Sequence, residues 1–346
     1  MRGLLLPTLP LPLSAAQPVD VLTTIADTRL WVLTVAGVLA LLALDFLLTR
    51  RPHAVSMKEA LGWSAFYIAL PLAFGVWVWR AHGGEIGLQY YTGYLVEKSL
   101  SVDNLFIFIL ILSAFAVPRV LQQRVLLIGI VGALVLRTIF IAVGAVLISR
   151  FSVVFLVFGA ILLLTAWGVY RDARSDEHTV DVQELKAVRL ARKLWPVTDS
   201  YQGTRLTVRE QGRRALTPLG LVVLAILGTD IVFAVDSVPA VYGITGDPYL
   251  VFVTNAFALL GLRALYFVLE GALGTLRYLG YGLALILAFI AVKLVLHWAH
   301  TVWVEVPSIP TLFSLVFIVV VLTVTAVTSV LAERRDSRRR ESTPVG

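Results

Sequence analysis

Two eight-residue stretches of the chain carry acids at matched positions. Glu97-Lys98-Ser99-Leu100-Ser101-Val102-Asp103-Asn104 aligns without gaps with Asp230-Ile231-Val232-Phe233-Ala234-Val235-Asp236-Ser237. In each, an acid is followed six residues later by a Val-Asp pair's aspartate and then by a small amide or hydroxyl. Further on, Leu134-Val135-Leu136-Arg137 finds an echo in Leu260-Gly261-Leu262-Arg263. Carboxylates, amides and hydroxyls are hard donors that suit magnesium, calcium or manganese, whereas copper(I) and zinc favour thiolates and thioethers. The chain has no cysteine, and Met57, outside the apolar runs, is its only methionine besides Met1. The candidate metal ligands are therefore Asp103, Asp236, Glu97, Asp230, Asn104, Asn255 and Asp45. Ser101, Ser237 and Thr229 could line the same site, and Arg137, Arg263 and Lys98 are natural counter-ions.

What must position these residues is read from composition. Of 346 residues, 58% are hydrophobic and 15% charged, and the mean hydropathy is +0.87. A soluble domain is about half apolar and about a quarter charged. The excess fits many lipid-spanning segments of about 20 residues each. Nine can be marked off, at about 28–49, 61–80, 89–114, 122–148, 152–170, 216–242, 249–270, 278–299 and 309–332. The expected fold class is all-α, a polytopic membrane bundle with an inverted internal repeat. It divides into an extracytoplasmic extension (1–27), a first membrane half (28–170), a basic cytoplasmic loop (171–215) with a short helix near 180–194, a second membrane half (216–332) and a basic tail (333–346). The extension holds Pro7, Pro10 and Pro12, which argue for disorder over a cleaved signal peptide.

Basic residues flanking the spans set the expected orientation. Arg50, Arg51, Lys58, Arg119, Arg124, the long loop, Arg277 and the arginines of the tail fall on one side, and only Arg2, Arg29, Arg80 and Arg150 on the other. The first side is then cytoplasmic, with the N-terminus outside, the C-terminus inside and the chain in the cytoplasmic membrane. The net charge of +7 belongs with anionic lipid at the loop and tail rather than with nucleic acid. No phosphate-cradling loop is present, so ATP is not an expected energy source, and no permanently bound cofactor is implied.

Several ionisable residues fall inside the apolar runs, among them Asp45, Glu97, Lys98, Asp103, Arg137, Asp230, Asp236, Arg263 and Lys293. Each costs at least about 2.5 kcal/mol at the bilayer centre, and such residues mark ion or proton paths. The bland alternative is a set of ion pairs that fix helix register, with Asp45 interfacial. Six residues rise about 9 Å and turn about 600° on a regular helix, so the two acids of one block share a face only if the helix breaks. Pro71 suggests a kink in the second span, and Gly228, Pro239 and Gly243 suggest a break in the sixth. His297 and His300, beside Trp298 and Trp303, fit an interfacial belt better than a metal site.

Glu97 to Asn104, Phe233-Ala234-Val235-Asp236-Ser237-Val238-Pro239-Ala240 and Leu259-Leu260-Gly261-Leu262-Arg263-Ala264-Leu265-Tyr266-Phe267 resemble signature stretches of the TerC family, and the resemblance runs from about Leu42 to Leu331. It implies a cytoplasmic-membrane protein of the tellurium-resistance and Alx type, related to lysine-exporter-like transporters and tied to manganese efflux. It implies that Glu97, Asp103, Asp230 and Asp236 are the acidic motif residues. Many members carry a further glutamate three residues before the first aspartate of the second block, where this chain has Leu227. The expected function is thus a secondary exporter of Mn2+, coupled to protons that a carboxylate takes up when its cation leaves. Calcium or a small organic cation is the alternative cargo. An intramembrane aspartate enzyme is not expected, because Asp230 follows Gly228-Thr229 rather than Gly-x-Gly and no span contains Tyr-Asp.

Overall fold

The structure, a computed structural model, describes residues 24–48, 55–174, 186–198, 200–210, 213–270, 278–303 and 305–342. Most of the N-terminal extension, residues 180–185 of the expected loop helix and Arg277 lie outside the described residues. In chain order the elements are α1 (Thr28–Leu48), α2 (Met57–His82), α3 (Gly84–Ala114), α4 (Arg119–Arg150), α5 (Val153–Arg174), α6 (Lys186–Leu194), β1 (Thr207–Glu210), β2 (Arg213–Leu216), α7 (Pro218–Tyr242), α8 (Pro248–Leu260), α9 (Leu262–Glu270), α10 (Leu279–Val302) and α11 (Thr311–Ser342). Helices dominate because lipid leaves a backbone no partner but itself.

Local signals start the central helices. Thr217 caps α7 by accepting from the Gly220 amide at 3.1 Å, with Pro218 in the first turn. Asp247 does the same for α8 through the Tyr249 amide at 2.8 Å, with Pro248 following. Its other oxygen accepts from the Ile25 amide at 2.8 Å, which ties the chain before α1 to the start of α8.

Among the described residues, α1, α2, α4, α5, α7, α10 and α11 are long and apolar enough to cross a membrane, and α8 with α9 makes an eighth span if the bent pair counts as one. The expected span not in that set is the third, 89–114, which corresponds to α3. It has the length, 31 residues, but Glu85, Glu97, Lys98 and Asp103 keep it out of that set. The molecule is thus a polytopic helical membrane protein with seven to eight spans by length and composition, and the count of nine is not established.

The break expected in the sixth span falls elsewhere. α3 and α7 run unbroken through both acidic blocks, and Pro71 and Pro239 lie inside continuous helices. The break is at Gly261, where α8 and α9 meet at 42°. Helices α3, α4, α7 and α8 form the centre of the bundle, and every residue of α8 from Tyr249 to Leu260 is buried. α10 packs along α5, while α1 and α11 bury only 22% of their spans and face outward.

Candidate functional site: an arginine among carboxylates

Two contacts fix how α3 lies on α7. The Thr245 hydroxyl donates to Gln89 Oε1 at 2.7 Å, and a Cβ on Gly93 would stand 3.3 Å from Val241. Thr245 lies three residues past the end of α7, so four residues forward on α3 match four residues back into α7, and the helices are antiparallel. Continuing that register brings Glu97 level with Asp236 and Ser237, and Asn104 level with Asp230. Each level then combines the first acid of one block with the end of the other, and about 10 Å of helix separates the two levels.

Arg137 of α4 bridges them. It is fully buried, and its Nη1 donates to Glu97 Oε2 at 2.9 Å and its Nη2 to Asp230 Oδ1 at 3.4 Å. With its amide turned so that nitrogen donates to the Leu100 carbonyl (3.0 Å), Asn104 accepts from the same Nη2 at 2.7 Å. Asp236 is within electrostatic reach of Arg137, Glu97 and Asp103. Three carboxylates (Glu97, Asp230 and Asp236) thus act on one guanidinium.

The cluster is not saturated. Glu97 Oε1, Asp230 Oδ2 and Arg137 Nε are buried without a hydrogen-bond partner, as are the hydroxyls of Ser101 and Ser237. Asn255 of α8 comes within loose hydrogen-bonding reach of Glu97, though neither its Oδ1 nor its Nδ2 reaches full hydrogen-bond geometry. Buried polar atoms of this kind are uncommon and point to strain, an absent partner or a functional role. Among the described residues no three Asp, Glu or His side chains converge closely enough to hold a metal ion.

The remaining candidates go elsewhere. Asp45 of α1 is engaged by Arg263, through Nε to Oδ2 at 3.0 Å and Nη2 to Oδ1 at 2.6 Å. Tyr67 of α2 donates to the same carboxylate at 3.4 Å, and Gln123 of α4 accepts from Arg263 Nη1 at 3.4 Å. Fourteen residues of α4, about 21 Å, separate Gln123 from Arg137. The two echoed arginines therefore serve different clusters, and antiparallel blocks alone do not establish the internal repeat. Lys98 donates to the Ala258 carbonyl at 3.4 Å, close to the Gly261 break. A cation there satisfies a carbonyl that the helix end leaves open. Thr229 bonds back to Ile226 at 2.8 Å. His297 packs edge-on against Phe155 with ring centres 4.8 Å apart, and His300 donates to the Val306 carbonyl at 2.6 Å. Leu227, one turn before Asp230, lies against Gly132 of α4. Tyr67 and Gln123 were not legible as site residues: nothing in their spacing marks them as partners of Asp45 and Arg263.

Fold and cluster together define a polytopic membrane protein with an acid-rich polar centre. The sequence profile of the integral membrane protein TerC family matches residues 82–337, and the chain belongs to that family. An uncharacterized membrane protein of Myxococcus xanthus is 42% identical over 78% of this chain and 84% of its own length. Another, of Mycobacterium tuberculosis, is 44% identical over 80% of this chain and 70% of its own. The "Putative membrane-bound redox modulator Alx" of Escherichia coli is 41% identical over 80% of this chain and 88% of its own. No solved structure matches the chain.

Proposed function

We propose that this protein is a secondary transporter that exports a hard divalent cation, Mn2+ by preference, in exchange for protons. The observation that carries the reading is the imbalance at Arg137: three carboxylates lie within electrostatic reach of one buried guanidinium, and one oxygen each of Glu97 and Asp230 has no partner at full hydrogen-bond geometry. Excess negative charge inside a membrane protein attracts cations or protons. The donors are oxygens throughout, which suits manganese or calcium and not a soft ion.

Arg137 is a tethered cation that occupies the centre between loads. An arriving divalent ion competes with it for Glu97 and Asp236 at one level, or for Asp230, Asp103 and Asn104 at the other. The guanidinium withdraws from the loaded level and keeps its hold on the opposite one, so both levels are never left without positive charge. When the ion departs, Arg137 returns and protons on the remaining carboxylates balance the charge. Asn255, Ser101 and Ser237 supply neutral oxygens to the ion.

The cytoplasmic membrane, with the C-terminus inside, is the location that the distribution of basic residues favours. The protein is a carrier, not an enzyme, in this reading. The name of the Escherichia coli relative speaks of redox modulation. This chain has no cysteine, so thiol exchange is not open to it, whereas ion movement is.

The test is total manganese, with calcium alongside, by elemental analysis of manganese-loaded cells that lack their own exporter. Wild type is expected to lower manganese, and an Asp103→Asn, Asp236→Asn variant made to the same level is not. Lowered calcium alone would change the cargo, and equal metal content in both strains would sink the transport reading.

A further inference from the structure

We infer that the hairpin preceding α7 holds the phosphate of an anionic lipid headgroup between Arg205, Arg209 and Arg214. This inference rests on the membrane reading and not on the cargo. β1 and β2 pair antiparallel, with Arg209 directly opposite Arg214. Like charges directly opposite weaken a strand pair, so an arrangement that keeps them calls for an anion between them. Arg205, Thr207, Val208, Arg209 and Arg214 line one cleft of about 540 Å3. No acid is among its lining residues, and none of the three arginines is in an ion pair among the described residues. Guanidinium forks beside a hydroxyl match the oxygens of a phosphate diester.

Position selects the source. The hydroxyl of Thr217, the cap of α7, donates to the Arg205 carbonyl at 2.7 Å, and its amide donates to the Leu206 carbonyl at 3.0 Å. Arg205 is therefore level with the point where α7 begins its apolar run. On the other side the Leu216 amide donates to the Pro196 carbonyl at 2.8 Å, which fastens the hairpin to the chain leaving α6. α6 buries Val188 and Ala191, while its Leu190 and Leu194 and the following Trp195 turn outward, exposed by 57%, 57% and 48%, among the exposed Arg189, Arg192 and Lys193. Apolar and basic side chains turned out together, next to the start of a spanning helix, suit the headgroup layer. The cleft has no aromatic side chain on which a nucleobase could stack. Three arginines repel a divalent ion, so this cleft is no part of the cation path.

The test uses the full-length protein in nanodiscs of phosphatidylcholine with added phosphatidylglycerol, followed by native mass spectrometry of lipid retained on the protein. In an Arg205→Gln, Arg209→Gln, Arg214→Gln variant, the tightest phosphatidylglycerol is expected to bind roughly a hundredfold more weakly, at about fivefold per charge. A charge-matched Arg29→Gln, Arg80→Gln, Arg150→Gln control is expected to retain it. Should the triple variant not fold, Arg214→Gln alone is expected to weaken retention about fivefold. Equal retention in hairpin variant and wild type would overturn the inference. So would displacement of the lipid by millimolar inorganic phosphate, which would assign the cleft to a soluble anion.

Discussion

Arg137 and Arg263 follow similar leucine-rich segments and both are buried, yet their surroundings are opposite. Arg263 meets one carboxylate in a two-pronged contact, with a tyrosine hydroxyl and a glutamine amide completing the set. Among the described contacts one guanidinium there faces one carboxylate, and the pair fastens α1 to α9. Arg137 contacts two carboxylates, Glu97 and Asp230, and lies within electrostatic reach of a third, Asp236, while its own Nε and one oxygen each of Glu97 and Asp230 stay unbonded. A balanced, hydrogen-bonded pair has little to gain from a further ligand. An unbalanced one gains from any cation that can reach it. Saturation, more than residue type, separates a fastening from a binding site in this molecule.

The largest effects are expected from removing either guanidinium. Arg137→Met and Arg263→Met should each destabilise the protein by about 3–5 kcal/mol, because each strands buried charge. Thermal melting in detergent, read by size-exclusion recovery, gives the measure. The clusters should part company on rescue. Adding Asp45→Asn to Arg263→Met removes the whole pair and should restore most of the stability. Adding Glu97→Gln alone to Arg137→Met should not, since Asp230 and Asp236 remain; Asp230→Asn is needed as well. Full rescue by Glu97→Gln alone would show that Arg137 belongs to a simple pair and would remove the basis for a cation site.

Next in size is the split between transport and stability. Glu97→Gln or Asp230→Asn should lower manganese efflux by roughly tenfold, the worth of one charge-assisted contact, and leave melting nearly unchanged. Asp45→Asn should do the reverse: earlier melting, with efflux per folded molecule retained. Efflux assays on everted vesicles, normalised to folded protein, decide it. If Asp45→Asn abolishes efflux at unchanged melting, the Arg263 pair is a moving part and the contrast between the clusters fails.

Much of this was open to sequence reasoning, and the parts that were not share a cause. The apolar runs located the helices because lipid demands about 20 apolar residues per crossing; the first run, 28–49, became α1 at Thr28–Leu48. The acids of the two blocks were visible for the same reason, being costly where they lie. The partners of each arginine were not. Arg263 turns to Asp45, 218 residues away, and to Gln123, 140 away, and no local pattern encodes such pairings. The break was misplaced because Gly228 and Pro239 are tolerated in a membrane helix whose neighbours satisfy the freed backbone groups. Gly261 breaks a helix between two leucines, with Lys98 and Tyr67 arriving from other helices. The hairpin before α7 was hidden in a loop whose arginines read only as a sum of charge.

A smaller effect probes the neutral partners. Tyr67→Phe should cost about 0.5–1 kcal/mol, as for one ordinary hydrogen bond, because its contact with Asp45 is long, at 3.4 Å. Combined with Asp45→Asn it should cost almost nothing further, since the acceptor's charge is already gone. A double-mutant cycle on melting tests this. Strict additivity would mean that Tyr67 acts through packing against Trp63 and Phe66 and not through the ion pair.

The smallest expected effect joins the two regions. Gly261 stands between them, since Lys98 follows Glu97 in sequence and Arg263 lies in the first turn of the next helix. The glycine has an ordinary helical conformation, with φ at −85°, so its lack of a side chain serves space and not backbone freedom. A Cβ there would stand 3.0 Å from the Tyr67 Cβ and 3.2 Å from Lys98 Nζ. The lysine tip can swing aside, whereas the tyrosine Cβ is carried by α2 and can shift only with it. Gly261→Ala should therefore cost about 1 kcal/mol or less, as overpacking at the low end of its range, and free Lys98 from the Ala258 carbonyl. If the break only fastens the bundle, melting falls slightly and efflux is unchanged. If the released ammonium reaches the acids of the Arg137 cluster, it competes with the ion, and half-saturating manganese rises while melting barely moves. That second outcome would place Lys98 in the same role as Arg137 and make the unbalanced cluster one residue larger.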